Sequence, residues 1–144
     1  MRPSWDEYFM EIVAVVARRS TCLRRQIGAV LVKEKRILAT GYNGAPSGLP
    51  HCVDTGCARE HVPSGERQEL CRALHSEQNA LVQAARYGTP VLGATLYVTT
   101  APCHVCAKLL VNAGIVRVVY GAAYPDHLAG AVLRDSGVES IRFP

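Results

Sequence analysis

The sequence predicts a single α/β domain of three layers, in which a five-stranded mixed sheet is covered by helices on both faces. Two features of the pattern support this: a helix and a β-hairpin come first, and strands then alternate with helices. The length also fits, because 144 residues suffice for one hydrophobic core and are few for two. We therefore expect residues 1–144 to form one domain.

The N-terminal elements are an amphipathic helix and a hairpin. Apolar residues recur at helical spacing between Trp5 and Ala17 and predict a helix over residues 4–19. Two apolar, β-branched runs, Ile27–Val32 and Arg36–Tyr42, are separated by a short charged segment and predict the hairpin.

The C-terminal elements alternate in type, which favours parallel strands with helices packed on both faces. Glycines follow two of the predicted helices, as is typical of helix C-termini. The predicted elements are helices at Ser76–Tyr87, Cys103–Ala113 and His127–Ser136, and strands at Ala94–Thr99, Ile115–Tyr120 and Glu139–Phe143.

Between the hairpin and the second helix, residues 43–73 have no periodic pattern and contain several glycines and prolines. A loop of this length inside a compact domain needs something to order it. Three cysteines in this segment (Cys52, Cys57 and Cys71), together with Cys22, could bind a structural zinc ion, with His51 or His61 as possible substitutes for one thiolate. They could equally be buried small hydrophobic residues or reactive thiols.

Two short motifs carry the chemistry, His75-Ser76-Glu77 and Pro102-Cys103-His104-Val105-Cys106. Cysteines three residues apart at a helix start lie on one side and can bind a tetrahedral zinc ion, with His75 as the third ligand. Three protein ligands leave the fourth position for water, which zinc acidifies. Both motifs precede or begin predicted helices, whose N-termini are expected to stabilise the two thiolates.

Glu77 is an acid close to these ligands that is not needed to bind the metal, so it can carry the protons that a hydrolysis must move. The spacing H-x-E…P-C-x-x-C is the established signature of zinc nucleobase deaminases. Because residue type, order and separation must all agree, the match is specific.

The net charge of +4 is modest, and no aromatic residues are interleaved with the basic clusters. This argues against a surface for long nucleic acids. No apolar run approaches the roughly 20 residues needed to cross a membrane, and early acidic residues are atypical of a targeting peptide. We expect a cytoplasmic protein.

The chain resembles the cytidine deaminase superfamily and, within it, the deoxycytidylate (dCMP) deaminases, including the bacterial competence-operon type. The resemblance extends over essentially the whole chain. The Gly-Tyr-Asn-Gly turn and the cysteine-bearing loop narrow it to the dCMP branch. The motifs are Ser4-Trp5, Tyr8-Phe9-Met10, Ser20-Thr21-Cys22, Gly28-Ala29-Val30, Gly41-Tyr42-Asn43-Gly44, His75 to Ala80, Tyr97-Val98-Thr99 and Pro102 to Cys106.

The resemblance implies the cytidine deaminase-like fold and hydrolysis of dCMP to dUMP and ammonia, a step that feeds thymidylate synthesis. It implies a catalytic zinc ion on His75, Cys103 and Cys106, with Glu77 as the proton shuttle. Competence-type members bind a second zinc ion at positions that match Cys22, Cys52, Cys57 and Cys71.

The resemblance also implies substrate contacts. Asn43 would bind the sugar hydroxyl, Ser20 and Arg24 the phosphate, and Tyr124 would lie near the nucleotide; a guanidinium with a hydroxyl suits a phosphate dianion. Residues 59–69 form a longer segment than the simplest relatives have. The resemblance therefore does not predict the shape of the lid that this segment would form over the site.

Family members are often hexamers regulated by dCTP and dTTP, so a homo-oligomer with nucleotide effectors is expected. Three alternatives to a dCMP deaminase stay open at this point. They are a tRNA adenosine deaminase, a deaminase of free cytosine or cytidine, and an inactive zinc-stabilised interaction module.

Overall fold

A five-stranded mixed sheet runs through the middle of the structure, which is a computed structural model describing residues 1–144. The strands are β1 (Gly28–Lys33), β2 (Arg36–Tyr42), β3 (Thr95–Thr100), β4 (Arg117–Ala122) and β5 (Glu139–Arg142). The helices are α1 (Trp5–Ala17), α2 (Cys52–Thr55), α3 (Ser76–Arg86), α4 (His104–Ala113) and α5 (His127–Asp135). None of these helices is long and apolar enough to span a bilayer.

The predicted α/β class and strand pairing are confirmed. The strand order is β2-β1-β3-β4-β5; β1 is antiparallel to both β2 and β3, whereas β3, β4 and β5 are parallel. The carboxyl ends of β2, β3 and β4 and the start of β1 consequently lie at one end of the sheet, which is where α/β proteins bind ligands.

The patternless segment contains two short elements that the sequence did not predict, α2 and a 3₁₀ turn at Gln68–Leu70. The missed helix α2 has only four residues, which is too short for a helical periodicity to appear. The other predicted helices and strands are present, with ends that differ by a few residues.

The side chains of the sheet alternate between two hydrophobic cores, one on each face. On one face, Phe9 and Val13 of α1 pack against Val30 and Tyr97. The opposite face packs against α3, α4 and α5, and its core includes Leu31, Leu96, Val98, Ala80, Leu110 and Leu133. The three predicted layers are therefore α1, the sheet, and the other three long helices.

Two glycines allow helices to approach the sheet closely. A Cβ atom at Gly28 would lie 2.6 Å from the backbone of α1 at Val13, and one at Gly41 would lie 2.5 Å from the amide nitrogen of Ala80 in α3. Both separations are shorter than carbon can tolerate, so the helices occupy the volume that a side chain would take. Gly41 thereby fixes the position of α3 against β2.

An ion pair joins α1 to the sheet. The Arg117 guanidinium in β4 donates to both carboxylate oxygens of Asp6 at 3.0 and 2.7 Å, and the Tyr97 hydroxyl donates to Asp6 at 2.6 Å. Hydrogen bonding to Arg117 lowers the pKa of Asp6. This network lies at the sheet end opposite to the carboxyl ends of β3 and β4.

Candidate metal centre and substrate cavity

His75 caps the N-terminus of α3. Its backbone is extended, with φ −73° and ψ 157°, and its N–H donates to the Gln78 side chain at 2.8 Å. This hydrogen bond from the N-cap backbone to the side chain three residues later is one half of a capping box. The imidazole is thus held at the helix start, as the sequence led us to expect.

Cys103 is the N-cap residue of α4, three residues after β3 ends. Its sulfur accepts a hydrogen bond from the Cys106 N–H at 3.5 Å, and Cys106 is fully buried in the first turn of the helix. Helix N-termini carry partial positive charge, which favours thiolates at these two positions.

The three predicted ligands converge. The His75 Nδ1 atom lies 3.5 Å from the Cys103 sulfur and 3.3 Å from the Cys106 sulfur, and the three ligand atoms all lie within 4.8 Å of one another. Typical Zn–N and Zn–S bonds of about 2.0 and 2.3 Å in a tetrahedron separate such ligands by about 3.6 Å. The donor atoms and their spacing fit a zinc ion.

The two sulfurs shift each other's pKa in opposite directions. Hydrogen bonding with Cys106 and with His75 lowers the pKa of Cys103 to about 4, and the hydrogen bond with Cys103, together with burial, raises the pKa of Cys106. A divalent cation bound between the two sulfurs would favour the thiolate form of both.

Glu77 lies in the first turn of α3 and is only 5 % exposed. The Ser76 hydroxyl donates to its Oε1 at 2.7 Å, and burial raises its pKa. It lines the same cavity as His75 and Cys103, and it is the only acidic residue among the lining side chains. Burial disfavours the ionised form, so this carboxyl group can hold a proton and release it again.

Asn43 follows β2 and lines the cavity, with 8 % of its surface exposed. Its side chain accepts from the Ile27 N–H at 2.9 Å and donates to the Arg25 carbonyl at 3.0 Å. The Ser20 hydroxyl donates to the carbonyls of Asn43 at 3.0 Å and Arg25 at 3.3 Å, and Ser20 does not line the cavity. Both side chains brace the segment that enters β1.

The two arginines of that segment point to different neighbours. The Arg24 guanidinium donates to the Arg59 carbonyl at 2.8 Å, and Arg24 is not among the cavity residues. Arg25 lines the cavity, donates to the Ser64 hydroxyl at 2.9 Å and lies 5.4 Å from the ring centre of Tyr124. Tyr124, which follows β4, lines the cavity as expected.

The remaining four cysteines gather in one region. The pKa of the buried Cys52 is raised by burial and then by the neighbouring Cys22, Cys57 and Cys71. Two of the sulfurs accept backbone hydrogen bonds, Cys22 from Arg24 at 3.4 Å and Cys57 from Arg59 at 3.3 Å. Their ligand atoms are not grouped as tightly as those of His75, Cys103 and Cys106.

Sequence reasoning missed several cavity residues, among them Arg25, Arg59 and Ser64. Nothing in an irregular segment indicates which of two adjacent arginines faces inward. For Arg59 and Ser64, the only signal in the sequence was the unusual length of the segment 59–69 that contains them.

The chain matches a known family and known proteins over most of its length. A family model described as the cytidine and deoxycytidylate deaminase zinc-binding region matches residues 3–122. Deoxycytidylate deaminase from Saccharomyces cerevisiae is 42% identical over 99% of this chain and 46% of that protein. ComE operon protein 2 from Bacillus subtilis is 41% identical over 88% of this chain and 64% of that protein. The chain thus spans about half the length of the yeast relative and somewhat more of the bacterial one.

A solved structure matches along its whole length. The dCMP deaminase of the cyanophage S-TIM5, crystallised with dCMP and dUMP, superposes with a TM-score of 0.84 at 34% identity and covers 99% of both chains. Together with the converged His75, Cys103 and Cys106, these matches assign the family. The chain belongs to the cytidine and deoxycytidylate deaminases that share this zinc-binding region.

Proposed function

We propose that this chain hydrolyses dCMP to dUMP and ammonia. The observation that carries the proposal is the cavity that is lined both by the buried Glu77 carboxyl, which has no cationic partner, and by His75 and Cys103 of the His75–Cys103–Cys106 cluster. A whole-length relative crystallised with dCMP and dUMP supports the choice of substrate.

His75, Cys103 and Cys106 would hold a zinc ion, which supplies the Lewis acidity that makes water a nucleophile near neutral pH. Glu77 performs the proton transfers. It takes one proton from the attacking water and passes it to N3 of the cytosine ring as hydroxide adds to C4. It then takes the second proton of that water, from the new C4 hydroxyl, and passes it to the 4-amino group, which leaves as ammonia while the C4 carbonyl forms. The raised pKa of Glu77, caused by burial, suits a group that must hold a proton between these transfers.

The other cavity residues bind and orient the nucleotide. Asn43 lines the cavity where β2 ends and β1 begins, and we assign it to the sugar hydroxyl. Tyr124 lines the cavity after the end of β4, and we assign it a place near the nucleotide. Ser20 acts through Asn43, whose backbone carbonyl it contacts. For Arg24, a phosphate contact requires its side chain to leave the Arg59 carbonyl.

The proposal includes a second, structural zinc ion on Cys22, Cys52, Cys57 and Cys71. Their mutual proximity supports it, as do the backbone hydrogen bonds to the sulfurs of Cys22 and Cys57, which are common around metal-binding cysteines. The proposal also includes that residues 1–144 act as one domain, which rests on the length of the chain and the order of its elements. That the chain assembles into a homo-oligomer and responds to dCTP and dTTP rests on the family resemblance.

The test is ammonia release by zinc-loaded protein from dCMP, deoxycytidine, dCTP and tRNA. We expect the highest kcat/KM for dCMP. Deamination of tRNA with none of dCMP, or no turnover of any of the four, would contradict the proposed function.

A further inference from the structure

The Asp126 carboxylate joins the N-termini of helices α4 and α5. Asp126 is the N-cap residue of α5, and its Oδ1 accepts a hydrogen bond from the Ala129 N–H at 3.0 Å. Its Oδ2 accepts from the N–H of His104, the first residue of α4, at 2.7 Å, and from the His104 Nδ1 at 2.9 Å. The side chain is only 13 % exposed. One carboxylate thus satisfies N–H groups that neither helix can satisfy internally.

The link to α4 explains why this position carries an aspartate. Asparagine and serine cap a helix about as well as aspartate does, so α5 alone does not require a carboxylate. Both oxygens of a carboxylate are acceptors, whereas asparagine and serine each offer one acceptor oxygen. The negative charge also strengthens both hydrogen bonds and interacts favourably with the two helix N-termini. Asp126 is therefore suited to hold α4 and α5 in a fixed relation.

Both ends of this link lead to residues of the site. His104 directly follows Cys103, whose sulfur belongs to the metal cluster. Asp126 lies two residues after Tyr124, and its N–H donates to the Tyr124 carbonyl at 2.8 Å. Cys103 and Tyr124 line the cavity of Glu77, whereas Asp126 and His104 do not. Asp126 therefore acts on a bound metal or nucleotide only through these neighbours.

The position of the Cys103 sulfur depends on how the first turn of α4 is held. Cys103 lies just before the helix, with an extended backbone of φ −74° and ψ 172°. The hydrogen bond from the His104 N–H to Asp126 attaches this turn to α5 and to the residues that follow β4. The same bond fixes the turn that carries Tyr124, so the metal ligand and the cavity residue share one anchor.

We propose that Asp126 is a positioning residue that holds Cys103 in place for the metal and Tyr124 in place for the nucleotide. The part that concerns the nucleotide rests on the proposed function. Hydrogen-bond partners that orient metal ligands typically contribute about 10- to 100-fold to metal affinity or activity. Loss of the link between Asp126 and α4 should therefore weaken metal binding although Asp126 does not touch the metal.

The experiment measures the zinc affinity of the cluster in zinc-loaded Asp126→Ser, Asp126→Ala and wild type by competition with a chelator. The zinc equivalent that His75→Ala lacks is assigned to the cluster. Serine still caps α5, but its shorter side chain with one oxygen cannot also accept from the His104 N–H. Asp126→Ser should lower the zinc affinity by about 10- to 100-fold. At saturating zinc, it should also raise the KM for dCMP, because the turn that carries Tyr124 loses its anchor.

Ser4→Ala is the matched control. The Ser4 hydroxyl caps α1 by accepting from the Glu7 N–H at 3.1 Å, on the face of the sheet opposite to α4 and α5. Removing this cap should lower the melting temperature but leave the zinc affinity and the KM for dCMP as in wild type.

A role of Asp126 only as the cap of α5 gives a different result. Asp126→Ser would then behave as wild type, and Asp126→Ala would behave as Ser4→Ala, with a lower melting temperature and an unchanged zinc affinity. That result overturns the inference. If Asp126→Ala fails to fold, Asp126→Ser decides, because serine keeps the cap of α5.

Zinc affinity and turnover separate this inference from the proposed function. If wild type deaminates none of the four substrates but Asp126→Ser weakens zinc binding, the function is wrong and the positioning of Cys103 by Asp126 stands. If wild type deaminates dCMP and Asp126→Ser keeps both the zinc affinity and the KM, the function stands and the positioning role is wrong.

Discussion

Glu77 and Ser76 are adjacent residues at the start of α3, and both are buried beside the cavity. The Ser76 hydroxyl donates to the Glu77 carboxyl, while no cation pairs with that carboxyl. Burial without a charged partner costs folding free energy when the group is ionised, and a carboxyl group in such a place, beside a cavity, indicates a role in proton transfer.

Glu77→Gln should abolish nearly all turnover of dCMP while keeping the fold and the zinc content. The amide has almost the same shape but cannot exchange the proton, and a general acid–base group contributes on the order of 100- to 10,000-fold to the rate. Steady-state kinetics, metal analysis and thermal unfolding check this. Glu69→Gln removes an exposed acid as a control; more than about a tenth of wild-type kcat in Glu77→Gln would exclude this role.

For individual residues, the sequence was sufficient to predict the position of those side chains whose chemistry depends on local spacing. His75, Glu77, Cys103 and Cys106 lie at helix starts, where separation along the chain determines geometry. The sequence was not sufficient to predict which arginines line the cavity, because an irregular backbone does not impose an orientation on successive side chains.

Helix α3 carries both His75 and Glu77, and its height above the sheet depends on the absence of a side chain at Gly41. A Cβ atom there would contact the Ser76 carbonyl and lie 2.5 Å from the Ala80 nitrogen, both of them backbone atoms of α3 that cannot rotate away. The packing of one helix on one strand thus sets the distance between the Glu77 carboxyl and the sulfurs.

Gly41→Ala should therefore displace α3, lower the free energy of unfolding by about 1–3 kcal/mol, as overpacking does, and reduce kcat. Unfolding by denaturant and steady-state kinetics measure the two effects. The control is Gly130→Ala in α5, where a Cβ meets no atom within 4 Å. Alanine favours the helix, so this variant should be as stable as wild type or more so; equal behaviour of the two variants would show that Gly41 does not set the height of α3.

The link between α1 and β4 is a second contact between elements, and it is far from the cavity. The Asp6 carboxylate and the Arg117 guanidinium form a bidentate pair in which each side chain is less than a third exposed. Asp6→Asn leaves Arg117 partly buried beside a neutral amide, so we expect a loss of about 1–3 kcal/mol of stability at pH 7.

The pH dependence of that loss follows from the lowered pKa of Asp6, which hydrogen bonding to Arg117 causes. A carboxyl group with a lowered folded-state pKa stabilises the fold above its unfolded pKa, and that stabilisation disappears as pH falls through the folded value. The difference between wild type and Asp6→Asn should therefore be constant from pH 7 to pH 5. Denaturant unfolding at both pH values checks this, and a difference that shrinks by pH 5 would mean that the pair does not hold Asp6 ionised.

On the scale of the whole molecule, the sheet and the irregular segment contribute unequally to the cavity. The carboxyl ends of β2, β3 and β4 bring Asn43, Cys103 and Tyr124 to one end of the sheet, and the N-terminus of α3 places His75 beside them. The irregular segment that follows Asn43 and ends at residue 73 supplies further lining residues, yet it has only one turn of α-helix and one of 3₁₀-helix. The alternating pattern was enough to predict the first contribution; the second depends on tertiary contacts that leave no periodic pattern in the sequence.

Such a segment needs stabilisation beyond its own hydrogen bonds. A metal ion bound by Cys22, Cys52, Cys57 and Cys71 would provide it. Cys22 and Cys71 also line the cavity, so a zinc ion that binds them would connect the order of the segment to the shape of the substrate site. Because a metal bound only by the folded state contributes its binding energy to folding, loss of this ion should affect stability more than loss of the catalytic one.

Purified protein should therefore contain two zinc ions per chain with separable effects. Cys57→Ser should lower the zinc content by about one equivalent and lower the melting temperature, because the irregular segment loses its cross-link. His75→Ala should remove the other equivalent and abolish activity with a smaller loss of stability, because α3 and α4 remain packed on the sheet. Metal analysis and thermal unfolding of the two variants test this. One zinc ion per wild-type chain, with Cys57→Ser unchanged in zinc content and melting temperature, would mean that the four cysteines are ordinary thiols.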